Sequence, residues 1–282
     1  MVKVGINISG QQARLAGQVE DLGLDSVWAG DHLATNMPVL DVTQTLATAA
    51  AVTSTVELGM VMQIALRPAA WAAKQIGSLQ TLSGNRVQLG VGVGGEWPDE
   101  WAAAGMSLAG RGRRTDDTLK ALPSLLGGHA TRTPDTNVVI RLTPVAPTPP
   151  VWIAGSSQRA RRRAAELGDG WYPAMITPAR YAEGLTEIRD LAAEAGRPAP
   201  RGGLQLFGAL GTTTDALAAM LNKQYSLPFD LAGQILLGGA PAQVADRINE
   251  FVKAGADHVS VVAAGPDWRT QADLLAEVKA LL

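Results

Sequence analysis

The chain has no cysteine among its 282 residues. That excludes disulfides, thiolate nucleophiles, Cys-type structural zinc sites and thiolate-held iron–sulfur clusters, so any redox chemistry needs a borrowed cofactor. Histidine is almost as scarce, with three residues. No partner His or Cys stands at ligand spacing, and no metal site is expected. Neither sign of charge dominates, with 24 Lys and Arg against 26 Asp and Glu, which argues against a nucleic-acid surface. No apolar run reaches the roughly 18 residues that span a membrane. The N-terminal MVKVGINISG lacks a basic region followed by a long apolar core, so the expectation is a cytoplasmic protein without a signal peptide.

What is there is ordinary globular material, 46% hydrophobic and 18% charged. Short β-branched or apolar runs alternate with longer Ala/Leu/Arg-rich segments of helical period from end to end. Eight strands are predicted: Val2 to Ile8, Ser26 to Ala29, Val56 to Ile64, Val87 to Val93, Val151 to Ala154, Gly170 to Ala174, Gly203 to Ala209 and His258 to Ala263. Helices fall between them, and Gly23, Gly168, Gly196 and Gly255 stand where left-handed C-terminal caps are wanted. Eight such units close most economically as a single (β/α)8 TIM barrel over residues 1–282. Two stretches break the rhythm, residues 127–150 and 212–239, and both read as insertions; in barrels such insertions at the C-terminal face shape substrate access.

The stretch LGVGVGGEWPDEW, residues 89–101, satisfies G-x-G-x-x-G literally. The context of a dinucleotide fold is missing: the match does not open the fold, no helix follows the third glycine, and no acidic residue ends a second strand. The steric alternative is that Gly90, Gly92 and Gly94 share one face of strand four and let a flat ring lie against the backbone. Tight packing of the barrel interior is the other reading.

Barrel chemistry gathers at the C-terminal ends of strands. Those ends carry Asn7, Gly30-Asp31-His32, Val61-Met62-Gln63, Glu96-Trp97, Gly155-Ser156-Ser157 and Trp171-Tyr172. His32 is the best acid/base candidate, since imidazole titrates near neutrality untuned; a solvated loop residue is the alternative. Glu96 is a second proton-transfer candidate if partly buried, and an exposed loop carboxylate otherwise. Gly155-Ser156-Ser157, at a strand end opening into a helix, makes a phosphate cradle or a plain Ser N-cap. Arg159 beside it is an anion ligand or part of a solvated helix face. No nucleophile elbow or P-loop appears.

Taken together, GLDSVWAGDHL (23–33), VELGMVMQIALRP (56–68), NRVQLGVGVGGEW (85–97), GRGRRTDDTLKAL (110–122), PPVWIAGSSQRARRRAAELGDGWYP (149–173) and GGAPAQVADRINEFVKAGADHVSVV (238–262) resemble the luciferase-like monooxygenase superfamily, and within it the F420-dependent oxidoreductases. The resemblance implies a (β/α)8 barrel of the bacterial luciferase type, with a flavin or deazaflavin ring at the C-terminal mouth and its phosphate at Gly155, Ser156 and Ser157. It implies a non-proline cis peptide near Val61-Met62 behind the ring, and places Asp31-His32 beside the deazaflavin. Glu96 matches an acidic residue that assists proton transfer in some relatives, here preceded by one extra glycine. The implied activity is hydride transfer between F420 and a small organic substrate, with Asn7, Trp97, Trp171 and Tyr172 as pocket residues. The alternatives are a two-component FMN monooxygenase and a non-catalytic flavin-binding barrel. The implied partners are a second copy of the chain, through helices near strands two to four including Trp71, and a separate F420 or flavin reductase.

Overall fold

The computed structural model describes residues 1–35, 38–265 and 267–282. Eight parallel strands form the barrel: β1 Lys3–Asn7, β2 Ser26–Gly30, β3 Glu57–Met62, β4 Val87–Val91, β5 Val151–Ala154, β6 Gly170–Tyr172, β7 Arg201–Leu210 and β8 His258–Ala263. Each pairs in parallel with the next, and β8 closes on β1 with Lys3 opposite His258. The helices that follow the strands cover the outside: α1 Ala16–Asp21, α2 Val42–Ala51, α3 Ala69–Ser83, α4 Pro98–Ala103, α5 Arg111–Leu126, α6 Gln158–Leu167, α7 Pro178–Glu194, α8 Asp215–Tyr225, α9 Phe229–Ile235, α10 Pro241–Lys253 and α11 Trp268–Ala280. Among the described residues no helix is long and apolar enough to cross a membrane.

The helix starts follow local chemistry. Asp41 caps α2 by accepting from the N–H groups of Thr43 (2.9 Å) and Gln44 (3.1 Å), and Asp267 does the same for α11. Gly23, Gly196 and Gly255 adopt the left-handed conformation expected of them. Gly168 does not. It is extended at φ −95°, and a Cβ there would press on the Ala164 carbonyl and the Ile153 side chain, so glycine is required by space rather than by dihedral.

Alternation along the strands sends one set of side chains outward into the helix layer and the other inward. Val4, Ile6, Leu58, Met60, Leu89, Ile153, Leu204 and Val259 go outward into the main core. The inward set is aromatic. Trp28 stacks on Tyr172 with centroids 4.4 Å apart, Trp152 completes the cluster, and His258 meets both indoles edge-on. Glycines make the room: a Cβ at Gly59 would fall inside the Trp28 indole, and one at Gly170 would fall inside that of Trp152. Burying an indole of this size is worth about 5 kcal/mol in transfer free energy.

Both insertions carry secondary structure of their own. Residues 212–239 hold α8, a second helix α9 and a short strand, Leu237–Gly239. That strand pairs with Gly208–Leu210 of β7 on the flank away from β8, and the two helices enclose a small apolar core of their own around Leu217, Leu221 and Ile235. Residues 127–150 form a minimal hairpin, Thr131–Arg132 against Val139–Ile140.

Candidate active site

The glycine run after β4 does not continue the strand. β4 ends at Val91, and only Gly90 belongs to it, packed against Val61 of β3. Gly92 opens onto free space, with nothing within 4 Å of where a Cβ would stand. Gly94 (φ +59°) and Gly95 (φ +116°) are left-handed, and the Gln63 side chain lies directly on Gly94. The expectation of three glycines on one strand face is therefore corrected: the alternation breaks because the chain turns at Gly94.

That turn sets up a short helix. Pro98 begins α4, and Trp101, buried, packs against Ala65 and Leu66 in the turn after β3 with the Arg114 guanidinium 5.6 Å over its ring. One residue earlier, Glu100 is thereby pressed into the mouth. Its Oε1 lies 2.9 Å from His32 Nδ1, and its Oε2 accepts from the Leu33 N–H at 3.3 Å and from Gln63 Nε2 at 3.5 Å. The side chain of His32 is 23% exposed and that of Glu100 only 1%. The sequence reading missed Glu100, because Asp99-Glu100 after Pro98 looks like ordinary first-turn acid on a helix. Its neighbour Trp101, an anchor needing a buried slot, is the available signal.

Glu96 is exposed, so the burial that would make it a proton-transfer group is absent. Asp31, buried at the end of β2, turns away from the mouth: its Oδ2 accepts from Arg67 Nη2 at 2.7 Å and from the Gln63 N–H at 3.2 Å. Burial pushes its carboxyl above the ordinary carboxylate range against the pull of the Arg67 ion pair. It ties β2 to the turn after β3, which holds His32 in place.

Val61 is half-buried above the Trp28–Tyr172 stack and Met62 is buried among the outer core residues. Their peptide is trans: among the described residues the cis bond is Thr143–Pro144, and β3 runs in unbroken register with β4 through Met62–Val91, without a bulge. The cis expectation is corrected accordingly. Trp171 and Tyr172 also leave the pocket set. Trp171 points outward, donating to the Gly155 carbonyl at 2.8 Å and stacking on Tyr181 of α7, while Tyr172 lies inside the barrel with its hydroxyl on Ser260. Gly155, Ser156 and Ser157 are exposed at the β5 end, with Gly155 at φ +93°; the Ser157 hydroxyl caps α6 by accepting from the Ala160 N–H at 3.2 Å. Arg159 is exposed on the first turn of α6. Asn7 and Trp97 are half-buried at the mouth, and the Asn7 Oδ1 and Trp97 Nε1 atoms are buried without a protein partner among the described residues.

Residues 9–234 match the luciferase-like monooxygenase family. The chain belongs to that family. An uncharacterized protein of Mycobacterium tuberculosis is 34% identical over 144 residues, 50% of this chain and 49% of that protein, so the match spans about half the length of the mycobacterial relative. A 5,10-methylenetetrahydromethanopterin reductase of Methanolobus tindarius is 26% identical over 258 residues, 90% of this chain and 75% of the relative. The same luciferase-like barrel is seen in an F420-dependent secondary alcohol dehydrogenase in complex with an F420-acetone adduct (TM-score 0.86, 17% identity, 98% of both chains). It is also seen in the oxygenating constituent of 3,6-diketocamphane monooxygenase of Pseudomonas putida in complex with FMN (TM-score 0.80, 16% identity, 99% and 96% covered).

Proposed function

We propose that this luciferase-like protein transfers a hydride between coenzyme F420 and a small neutral organic substrate at the barrel mouth. The observation that carries the reading is the His32–Glu100 pair at the C-terminal end of the barrel, where Gly92 opens onto free space. Gly92 leaves the end of β4 without a side chain, and Val61 lays an apolar surface over the aromatic plug. Asn7 Oδ1 and Trp97 Nε1 offer one buried acceptor and one buried donor that a polar ring edge would satisfy. The residues present therefore fit a planar heteroaromatic ring.

When bound, F420 supplies a ring carbon that takes or gives a hydride. Everything else falls to this chain. The Gly155-Ser156-Ser157 turn and the first N–H groups of α6 would hold the phosphate. His32 would exchange the proton that accompanies the hydride, held at hydrogen-bonding range by the Asp31–Arg67 and Glu100 anchors. On the other side of the mouth the half-buried Met175, Phe207, Tyr225 and Leu231 lie against the apolar core of the 212–239 insertion, a wall suited to an uncharged substrate.

The F420-dependent secondary alcohol dehydrogenase that shares the fold and the methylenetetrahydromethanopterin reductase relative support this choice, and the FMN-bound neighbour supports the second reading, a two-component FMN monooxygenase. Titration with oxidised F420 and with FMN, each followed by fluorescence, separates them. Micromolar F420 binding is expected, and FMN binding without F420 binding overturns the proposal.

A further inference from the structure

We propose that Glu100 is a positioning residue for His32: it holds the imidazole proton on Nδ1, facing the loop after β4, and so dedicates Nε2 to the mouth. The kinetic consequence rests on the hydride-transfer reading, whereas the tautomer is a property of the protein alone.

The argument begins with burial. Among the described residues no Lys or Arg pairs with Glu100, although its side chain is almost wholly buried. A buried carboxylate in that position must be satisfied by hydrogen-bond donors. Three surround it: His32 Nδ1 on Oε1, and the Leu33 N–H and Gln63 Nε2 on Oε2. An ionised carboxylate only accepts, so Nδ1 must carry the hydrogen.

Gln63 makes this assignment self-consistent. Its Nε2 lies 3.2 Å from His32 Nδ1, a contact that would be a hydrogen bond only if Nδ1 were the bare nitrogen. Both Nε2 hydrogens have other acceptors, however, the Asp31 carbonyl at 3.3 Å and Glu100 Oε2. With Nδ1 donating to Glu100, every donor in the group has a place. With Nδ1 bare, Glu100 Oε1 loses its one donor and a buried carboxylate oxygen is left facing a lone pair. The first arrangement wins on that electrostatic ground.

The Nδ1 edge is turned to a buried group, so the exposed part of the ring is the Nε2 edge. In the oxidation of an alcohol, the His32 Nε2 lone pair would take the O–H proton as the C–H hydrogen departs with its bonding pair to the bound cofactor and C=O forms. The imidazolium that results stands against the Glu100 carboxylate and later releases its proton to solvent; reduction runs the same steps backwards. A His32 ring with its hydrogen on Nε2 has no lone pair at the mouth for this step.

Long-range 1H–15N spectra of the whole protein, at about pH 9 where imidazoles are neutral, test the tautomer. His32→Gln identifies the signal among the three histidines. The wild type is expected to show His32 protonated on Nδ1, Glu100→Gln to keep that tautomer because an acceptor oxygen remains, and Glu100→Leu to lose it. In turnover with F420, Glu100→Leu is expected to lower kcat ~100-fold with F420 affinity changed less than twofold, and to lower it no further in a His32→Gln background. His32 carrying its hydrogen on Nε2 in the wild type, an unchanged tautomer in Glu100→Leu, or losses that multiply in the double variant would each overturn the proposal. Should F420 fail to bind, the functional reading falls while the spectra still decide the role of Glu100.

Discussion

Two histidines at opposite ends of the barrel are built into quite different settings. His258 enters β8 at the closed end. It is fully buried, edge-on to Trp28 and Trp152, and hydrogen-bonded through Nε2 to Ser26 at 2.9 Å. Burial, with Lys3 and Arg201 nearby, pushes its pKa down to about 3. His32 sits past the end of β2, half-exposed, with a buried carboxylate on one edge and the mouth on the other. One imidazole is a neutral wall of the aromatic plug, and the other is the one to which the proposed function assigns proton exchange. Residue type alone does not separate them; strand end and burial do.

The plug should dominate stability and the mouth should not. Trp28→Ala is expected to cost about 4 kcal/mol, measured by urea unfolding, through lost burial and the cavity left among Tyr172, Trp152 and Gly59. A cost under 1 kcal/mol would break the contrast. His32→Ala should do the reverse, lowering F420-linked turnover by ~100-fold or more while the unfolding midpoint barely moves. Normal turnover in that variant would remove His32 from the chemistry.

The pH dependence sharpens the contrast further. His258 binds its proton less readily in the folded chain than in the unfolded one, so its contribution is fully present above about pH 6.5. It is lost as pH falls toward about 3, with a limiting slope of about 1.4 kcal/mol per pH unit. Stability of wild type and His258→Gln, compared between pH 7 and pH 4, should differ by that slope in the wild type's disfavour as pH drops. Parallel curves would mean His258 is protonated without penalty.

Smaller effects lie at the rim. Ser157→Ala should cost about 1 kcal/mol as a lost N-cap, and should weaken F420 binding several-fold in titration if the turn also holds phosphate. A loss of stability with unchanged binding would leave the cap alone. Glu96→Gln, at an exposed position, should change both stability and turnover by less than a factor of two, and a larger loss would return Glu96 to the chemistry.

Much of the barrel was legible because each βα unit writes its own period and punctuation: Val151–Ala154 and His258–Ala263 were read to the residue, and Gly23, Gly196 and Gly255 as left-handed caps. His32 was legible as a reactive type at a strand end. Trp171 and Tyr172 were misplaced because a strand of three residues ends before its neighbours do, and one residue of offset sends a side chain to the opposite face. Glu96 and Glu100 lie four residues apart in a loop that turns at Gly94 and re-enters as a helix at Pro98, and nothing local says which of them faces the barrel.

The sequence by itself determined the architecture and the absence of any thiol chemistry, and it set His32 at a strand end, since hydrophobic period, turn residues and composition are local quantities. Which carboxylate meets His32, which glycines hold space for indoles rather than for a ligand, and that Asp31 serves Arg67 were decided only by tertiary structure. Each depends on groups far apart in the chain, His32 with Glu100, Gly59 with Trp28, Asp31 with Arg67, brought into contact by closure of the barrel.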